Sequence, residues 1–385
     1  MKFAHLGDLH LGKNFSSYSL IEDQKYILNE IVNILKEEQA DAVLIAGDVY
    51  DRSVPSAEAV LLLDDFLSVL EHEGIEVYMI AGNHDSGDRL SYGAGLLERM
   101  HIHITGNYTG SAAKYVYTDD YGEVNIYAVP FIRPSYVNRY ITDEKEKVSD
   151  YTEAMRYIAE HAGIDPEKRN IIMSHQFVTG ASADISGSEE LIVGGLDQIS
   201  ASVYDIFDYT ALGHIHRPQK IGGKENIRYS GTPLKYSFAE KDQIKSIPVI
   251  ELKEKGSVSV SLHPLKPLHE VREIRGMFEE IRHSAPDPFA KYDYVHFVLE
   301  DEEMIPNAMR DLQAVYPMAV SLEYASVHAA LPDEISGVSE DLMRTPLEVF
   351  SEFYKLRTDG KEMSEEQRNY IAELIGKIWN EEEQA

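Results

Sequence analysis

Five segments of the chain share one pattern, in which a short apolar run ends abruptly in a small residue and then in a residue type that binds metal ions. The run over residues 43–46 is the clearest example, because Gly47 and Asp48 follow it directly. Continuous apolar runs of this length are typical of buried strands in parallel sheets. The other four runs lead into Asp8 and His10, Asn83 and His84, His175, and His214 and His216. We therefore predict five strands whose carboxyl ends converge on one site.

Between these strands, apolar residues recur at helical spacing and so share one face of a helix. Two such faces are formed by Ile27, Leu28, Ile31, Ile34 and Leu35, and by Val60, Leu61, Phe66, Leu67 and Leu70. The alternation of strands and helices predicts parallel strands with helices on both faces of the sheet. From about residue 111, alternating apolar and polar positions predict further strands that make the sheet mixed. The predicted fold class is therefore α/β with a mixed sheet.

The order of elements divides the chain into three predicted domains, 1–265, 266–330 and 331–385. The middle one reads as a small α+β cap, with strands over 270–274, 294–299 and 319–324 and helices over 277–282 and 305–315. The last one begins with a linker and continues as two helices. Thr345 with Glu348 and Ser364 with Gln367 have the spacing of capping boxes, which mark helix starts.

Apolar residues on the two final helices form stripes that two short helices can hardly bury by themselves. The stripes consist of Leu347, Phe350 and Tyr354 on the first helix and Ile371, Leu374, Ile375, Ile378 and Trp379 on the second. We predict that this helix pair docks a protein partner. The alternative is that the helices fold back on their own cap.

Composition narrows the chemistry that such a site can perform. The 385 residues contain no cysteine, so any metal must be bound through oxygen and imidazole ligands. No stretch is apolar enough to span a membrane and no secretion signal is expected, so we predict a cytoplasmic protein. The formal net charge of −30 argues against strong DNA binding by the isolated chain.

The residues at the five strand ends are too many for one ion. Asp8 with His10, and His214 with His216, are two positions apart, so in an extended chain each pair points to one face. We predict two divalent metals that share Asp48, an arrangement suited to phosphoester hydrolysis. His84 remains as the candidate transition-state stabiliser or general acid. Asp51 and Asp85 are candidate acceptors that orient the histidines.

The ordered motifs of this site resemble those of the calcineurin-like metallophosphoesterases. They are Asp8-Leu-His10, Gly47-Asp48, Gly82-Asn-His-Asp85, His175 and Gly213-His-Ile-His216. Residues 9–12, 47–51 and 229–238 are further similar to the bacterial nuclease branch of that family. The likeness is close over the first domain, and covers the cap and final helices in order and length only.

The resemblance implies a mixed-sheet α/β sandwich, a ligand set and a biological role. One metal would be held by Asp8, His10, Asp48 and His216, and the other by Asp48, Asn83, His175 and His214, with His84 as the catalytic histidine. Manganese is the metal implied. The cap would face DNA, two copies would pair, and the final helices would dock a coiled-coil ATPase. The expected activities are duplex exonuclease and single-strand or hairpin endonuclease.

Several assignments stay open at this point. The archaeal and eukaryotic members place a histidine where this chain has Asp51, which leaves the role of Asp51 undecided. Lys13, Arg52, Arg89, Arg217 and Lys235 lie near the motifs as weak candidates for DNA contacts, with ordinary surface charges as the alternative. Two rival functions are a phosphodiesterase for small substrates and a catalytically silent scaffold that binds DNA ends.

Overall fold

The computed structural model describes residues 1–181, 198–284 and 290–325, together with several residues between 350 and 371. The chain forms two compact units, Met1–Glu323 and Tyr324–Ala385. The first unit contains the predicted phosphoesterase domain and the predicted cap as far as Glu323. The domain boundaries at residues 265 and 330 stay predictions.

The strands of the described residues are numbered in chain order. They are β1 (Lys2–Leu6), β2 (Asn14–Phe15), β3 (Tyr18–Ser19), β4 (Ala42–Ala46), β5 (Glu76–Ile80), β6 (Ile102–Thr105), β7 (Ala113–Asp119), β8 (Gly122–Val129), β9 (Arg169–His175), β10 (Tyr209–Gly213), β11 (Gln219–Lys220), β12 (Ile227–Tyr229), β13 (Ser246–Leu252), β14 (Val258–Pro264), β15 (Val271–Gly276), β16 (Tyr294–Leu299) and β17 (Ala319–Tyr324).

The α-helices are numbered in the same way. They are α1 (Ile21–Glu37), α2 (Ala57–His72), α3 (Gly87–Leu90), α4 (Ala94–Leu97), α5 (Pro134–Asn138), α6 (Tyr151–His161), α7 (Phe278–His283) and α8 (Ala308–Gln313). Short 3-10 helices cover Glu98–Met100, Ala201–Tyr204, Phe238–Glu240 and Ala290–Tyr292.

Two six-stranded sheets form the centre of the first unit. The first has the order β14-β13-β1-β4-β5-β6, and the second has the order β11-β12-β10-β9-β8-β7. β1, β4, β5 and β6 run parallel, whereas β13 is antiparallel to β1. β8, β9, β10 and β12 are likewise parallel, with β7 and β11 antiparallel at the edges. The predicted mixed-sheet α/β sandwich is confirmed.

The two sheets pack face to face, and among the described residues each carries helices on its outer face only. Leu44 and Tyr78 of the first sheet belong to one buried cluster with Ile126 and Met173 of the second. On the outer face, alternate residues of β4 such as Ile45 pack with α1 and α2. The prediction of helices on both faces of one sheet was therefore wrong. A continuous apolar strand shows that both of its faces are covered. It does not show whether a helix or a second sheet covers each face.

The predicted cap is a three-stranded sheet, β15-β16-β17, with α7 and α8. β16 and β17 have the predicted bounds. α8 is shorter than predicted, because Asn307 before it has a left-handed φ of 59° that an α-helix excludes.

The second unit is described at a few positions. Ser364 N donates to Gln367 Oε1 at 2.9 Å, and Gln367 N donates to Ser364 Oγ at 3.3 Å. These reciprocal bonds form the predicted capping box. The other capping box, at Thr345, and most of the apolar stripe up to Trp379 lie outside the described residues.

Candidate metal centre

Every predicted ligand lies at the same edge of the sandwich, where the parallel strands of both sheets end. From the first sheet, Asp8 and His10 follow β1, Asp48 follows β4, and Asn83 with His84 follows β5. From the second sheet, His175 ends β9, and His214 with His216 follows β10. Each aspartate and histidine of the predicted ligand set is buried. The predicted convergence of five strand ends is therefore present in the fold.

The first group of ligands surrounds His10. Its Nε2 lies 3.1 Å from Nε2 of His216 and 3.7 Å from Oδ2 of Asp48. Ligand atoms of Asp8, His10 and His216 all lie within 4.8 Å of one another.

The second group surrounds the side-chain oxygen of Asn83. Asn83 Oδ1 lies 3.0 Å from His175 Nε2 and 3.1 Å from His214 Nδ1. His175 Nε2 in turn lies 3.3 Å from Asp48 Oδ2. Asp48 therefore reaches both groups, in line with the predicted division in which two metals share it.

These distances fit ligands that surround a cation. Adjacent ligands of one ion, each with a bond of about 2.1 Å, are separated by about 3.0 Å when the bonds are perpendicular. The donor set is imidazole, carboxylate and amide, which first-row divalent metals accept. The residues present thus fit two such ions, although the donor types do not select manganese over zinc.

Electrostatics keep most of these side chains in the state that binds metal. Burial lowers the pKa of His10 far below its usual range and that of His214 to about 3, so both rings are neutral near pH 7. Burial alone would raise the pKa of Asp48, but the neighbouring His175 and His10 hold it well below its usual range. Burial alone would lower the pKa of His175, whereas Asp48 and Asp8 raise it to about 9. A proton therefore competes with a metal ion for His175.

Hydrogen bonds across the two sheets fix two of the ligands. His175 Nδ1 lies 2.8 Å from the carbonyl oxygen of Ala46, to which it must donate, and this leaves Nε2 for a metal. The backbone N–H of His214 donates to both carboxylate oxygens of Asp8, at 2.9 and 3.1 Å. Each sheet thus orients a ligand of the other.

The site requires unusual backbone conformations and close approaches. Asp8, His10, Asp48 and His214 have φ values of 54°, 45°, 48° and 104°. Residues other than glycine rarely adopt this region, and such strain clusters at functional sites. A Cβ on Gly82 would lie 2.1 Å from Asp48 Oδ1, so only glycine fits there.

His84 stands beside the ligands and is partly exposed. Its backbone N–H donates to Asp48 Oδ1 at 2.9 Å, and its ring lies 4.9 Å from that of His10. Nδ1 lies 3.0 Å from the carbonyl oxygen of Asp51 and donates to it. The second ring nitrogen, Nε2, takes no part in this bond. This is the placement that a substrate-facing histidine needs.

Asp51 and Asp85 act differently from what the sequence suggested. The carboxylate of Asp51 accepts from Lys13 at 2.7 Å and lies 3.7 Å from His10 Nδ1, while its carbonyl, not its carboxylate, holds His84. Asp85 accepts from the backbone N–H groups of Val49, Tyr50 and Gly82. Asp85 therefore joins the loops after β4 and β5 rather than orienting a ring.

Sequence reasoning missed four residues that support the site from behind. Gln24 donates to the carbonyl of His10 at 2.7 Å, and the Tyr236 hydroxyl donates to the carbonyl of Leu9. Glu240 and Lys245 lie against His216. Gln24 sits on an ordinary amphipathic helix, and the other three follow β12, where no periodicity marks them. The resemblance of residues 229–238 was the only signal, and it assigned no role.

The weak DNA-contact candidates differ in their surroundings. Lys13 and Arg52 flank Asp51, and Arg89 donates to the carbonyl of Ser53 at 2.8 Å. Arg217 is exposed beside His216. Lys235 pairs with Glu270 at 2.7 Å and is largely buried, so it is placed to hold the cap sheet rather than DNA.

Comparisons with known proteins agree with the family that the motifs resemble. Residues 1–218 match the family model described as calcineurin-like phosphoesterase, and residues 267–358 match the model described as type 5 capsule protein repressor C-terminal domain. The chain is 33% identical to the SbcD subunit of the nuclease SbcCD from Staphylococcus epidermidis, over 99% of this chain and 100% of that relative. The resemblance inferred from the motifs is confirmed.

Solved structures give more distant likenesses. A dimetal phosphatase from Danio rerio matches 69% of this chain and 96% of its own, with a TM-score of 0.41 and 13% identity. A protein from Thermus thermophilus matches 68% of this chain and 98% of its own, with a TM-score of 0.37 and 11% identity. The fold assignment rests on the family model. Among the described residues, no helix is both long and apolar enough to cross a membrane.

Proposed function

This chain belongs to the SbcD family of calcineurin-like phosphoesterases, and we propose that it is a manganese-dependent DNA nuclease. The proposed activities are exonuclease on duplex ends and endonuclease on single strands or hairpins. They would serve DNA repair, recombination and replication. The observation that carries the proposal is the spacing of about 3 Å between ligand atoms from both sheets, with Asp48 between the two groups.

The chain's own residues supply binding and orientation. Two bound divalent ions would supply Lewis-acid activation of water and of the phosphate. Asp85 holds the loops that carry Asp48 and Asn83, so the ligands are positioned before substrate arrives. His84, fixed through Nδ1, presents Nε2 to the phosphodiester, where in its protonated form it donates a proton to the leaving oxygen.

DNA binding must overcome the acidic charge of the chain. With a net charge of −30, long-range attraction of a polyanion is weak, so a partner is needed to hold duplex DNA near the site. We propose that this partner is an SbcC-like coiled-coil ATPase, docked by the C-terminal helices and controlling access by ATP. The cytoplasmic location, with association to the nucleoid when on DNA, stays a prediction.

Pairing of two copies is part of the same proposal. Leu61 on α2 is 62% exposed, and Leu96 on α4 is 70% exposed. Exposed leucines such as these are suited to a protein interface. We propose a homodimer built on α2 and the short helices that follow β5.

The test is manganese-dependent cleavage of a labelled DNA hairpin and a labelled duplex end, with and without SbcC. We expect His84→Ala to lower the cleavage rate by about 10²- to 10⁴-fold while manganese binding persists. Asp48→Ala should abolish cleavage and weaken manganese binding, because Asp48 reaches both groups. The matched control is His161→Ala, an exposed histidine on α6 that should cleave at the rate of the unaltered chain.

The outcomes separate the proposal from its two rivals. Hydrolysis of bis-p-nitrophenyl phosphate without cleavage of either DNA would indicate a phosphodiesterase for small substrates. Tight binding of DNA ends with no hydrolysis of any diester would indicate a scaffold. Equal cleavage by His84→Ala and the unaltered chain would remove His84 from the mechanism.

A further inference from the structure

We infer that Glu240, neutralised by Lys245, is a positioning residue that sets the ring orientation and tautomer of His216. This inference rests on the proposed metal site. It concerns Glu240 and Lys245, two buried residues that follow β12.

Glu240 is buried to 1% exposure and faces the far side of the His216 ring. Its Oε1 lies 3.6 Å from His216 Nδ1, close enough for the carboxylate to favour a proton on that nitrogen. Ser237 Oγ donates to the same Oε1 at 3.2 Å. At this burial the carboxylate is shielded from bulk water, so the protein groups around it set its orientation.

Lys245 completes the cluster and also holds the backbone of His216. Its Nζ donates to Glu240 Oε2 at 2.6 Å and to the carbonyl oxygen of His216 at 2.8 Å. Thr232 Oγ1 and Gln243 Oε1 also lie 2.7 Å from Nζ, so its three N–H bonds are shared among four acceptors. An ammonium buried this deeply is stable only with such partners, so the cluster is a built arrangement.

The chemical consequence lies at the other nitrogen of the ring. With the proton on Nδ1, His216 Nε2 carries a lone pair, and that atom faces His10 Nε2 at 3.1 Å. Nε2 is therefore presented to the first metal position. Carboxylates that act on a metal-bound histidine in this way raise its basicity, and losing one typically costs 10- to 100-fold in metal affinity.

The experiment compares charge-neutral double variants. Glu240→Gln with Lys245→Met removes the carboxylate without leaving a lone buried charge. The control is Glu225→Gln with Lys220→Met, a pair of the same type with Nζ 2.5 Å from Oε1 but exposed. Manganese binding to the full chain is measured by calorimetry, and folding by circular dichroism and melting temperature without metal.

We expect the Glu240 double variant to bind manganese about 10- to 100-fold more weakly at one of two sites, with the control unchanged. Unchanged affinity at both sites in a folded double variant overturns the inference. If the unaltered chain binds no manganese, the proposed function fails instead.

A second measurement needs no variant in the cluster to fold. Nitrogen-15 NMR of histidine-labelled chain reports the tautomer of each ring, and His216→Gln assigns the His216 signal. We expect His216 to carry its proton on Nδ1 in the absence of metal. A proton on Nε2 instead would overturn the inference.

Discussion

Four of the candidate ligands, Asp8, His10, Asp48 and His214, owe their direction to left-handed backbone conformations. Each such conformation costs about 1–3 kcal/mol in a residue other than glycine and persists only where neighbours enforce it. The backbone N–H of Asp8 donates to the carbonyl of Gly47 at 3.0 Å, and that of His10 to the carbonyl of Asp48 at 2.9 Å. The first two loops therefore hold each other, and the ligands are placed before a metal arrives.

Gly82→Ala tests how much room the site has. The added Cβ would lie 2.1 Å from Asp48 Oδ1, so Asp48 or the loop carrying Asn83 must move. We expect diester hydrolysis to fall at least about 10²-fold, because a displacement near 1 Å has that effect in preorganised sites. The control is Gly95→Ala, whose Cβ meets nothing within 4 Å. Hydrolysis by Gly82→Ala at the control rate would show that Asp48 need not be held there.

Sequence alone predicted which side chains, the candidate ligands and His84, would meet at the strand ends, because metal chemistry restricts residue types and strand ends restrict their places. It missed Glu240 and Lys245 for a physical reason. A buried ion pair depends on which distant segments meet, and neither residue lies on a periodic element. In the same way, the apolar pattern of β1 does not show which distant residues meet His5. Its ring nitrogens lie 3.1 Å from the Tyr209 hydroxyl and the Leu212 carbonyl.

Among the strands, one guanidinium joins the two sheets at the edge far from the site. Arg169 at the start of β9 donates to the carbonyls of Lys253 at 2.8 Å and Gly122 at 2.6 Å, and to Asp119 at the end of β7. Asp119 also accepts from the N-terminal ammonium of Met1. The end of β13 is thus tied to the β7–β8 hairpin.

Asp119→Asn should lower the free energy of unfolding by about 1–3 kcal/mol at pH 7, because charged hydrogen bonds are lost. Burial alone would raise the pKa of Asp119, but Arg169 and the N-terminal ammonium hold it well below its ordinary value of 3.8. A depressed pKa contributes stability above that ordinary value and loses it as the pH falls. The difference between variant and unaltered chain should therefore narrow below about pH 4.

Urea denaturation at a series of pH values measures this difference. Asp120→Asn, which alters the exposed neighbouring aspartate, is the control and should change stability little at any pH. A difference for Asp119→Asn that stays constant between pH 7 and pH 3 would contradict the ionic account.

Element bounds were predicted well where apolar spacing is strong and poorly where backbone conformation decides. β16 matches the prediction because its buried residues define it, and β17 has the predicted bounds as well. α8 starts three residues later than predicted, since Pro306 and the left-handed Asn307 precede it. The apolar residues over 305–315 indicate that this segment is buried. They do not distinguish a helix from a turn, because residues of either can be buried.

At the scale of the molecule, the proposed homodimer can be tested directly by changing its interface. Leu61→Glu with Leu96→Glu places charges on two exposed positions, 62% and 70% exposed, that an interface would bury. We expect light scattering after gel filtration to report a dimer for the unaltered chain and a monomer for the double variant. Hydrolysis of bis-p-nitrophenyl phosphate should be retained, because neither leucine touches the site. A variant that stays dimeric would place the interface elsewhere.

For the sandwich as a whole, the pattern of residues predicts only the fold class. Strand ends and helix periodicity predict α/β layers, but they do not say that the strands divide into two sheets. That division depends on β13 and β14, which return to the first sheet beside β1 after the second sheet has been formed. Pairing between segments so far apart leaves no local pattern in the residues.

The return of β13 to β1, with Lys2 opposite Glu251, sets an order of events during synthesis. A ribosome adding roughly 5–20 residues per second makes β13 on the order of ten seconds or more after β1. Until then the first sheet lacks two strands, and the nascent chain lacks His214 and His216 for most of that interval. The candidate metal centre can therefore form only after more than half of the chain has been made. Long-range closure of this kind is slow, so the emerging chain passes through a stage in which the inner face of the first sheet is uncovered.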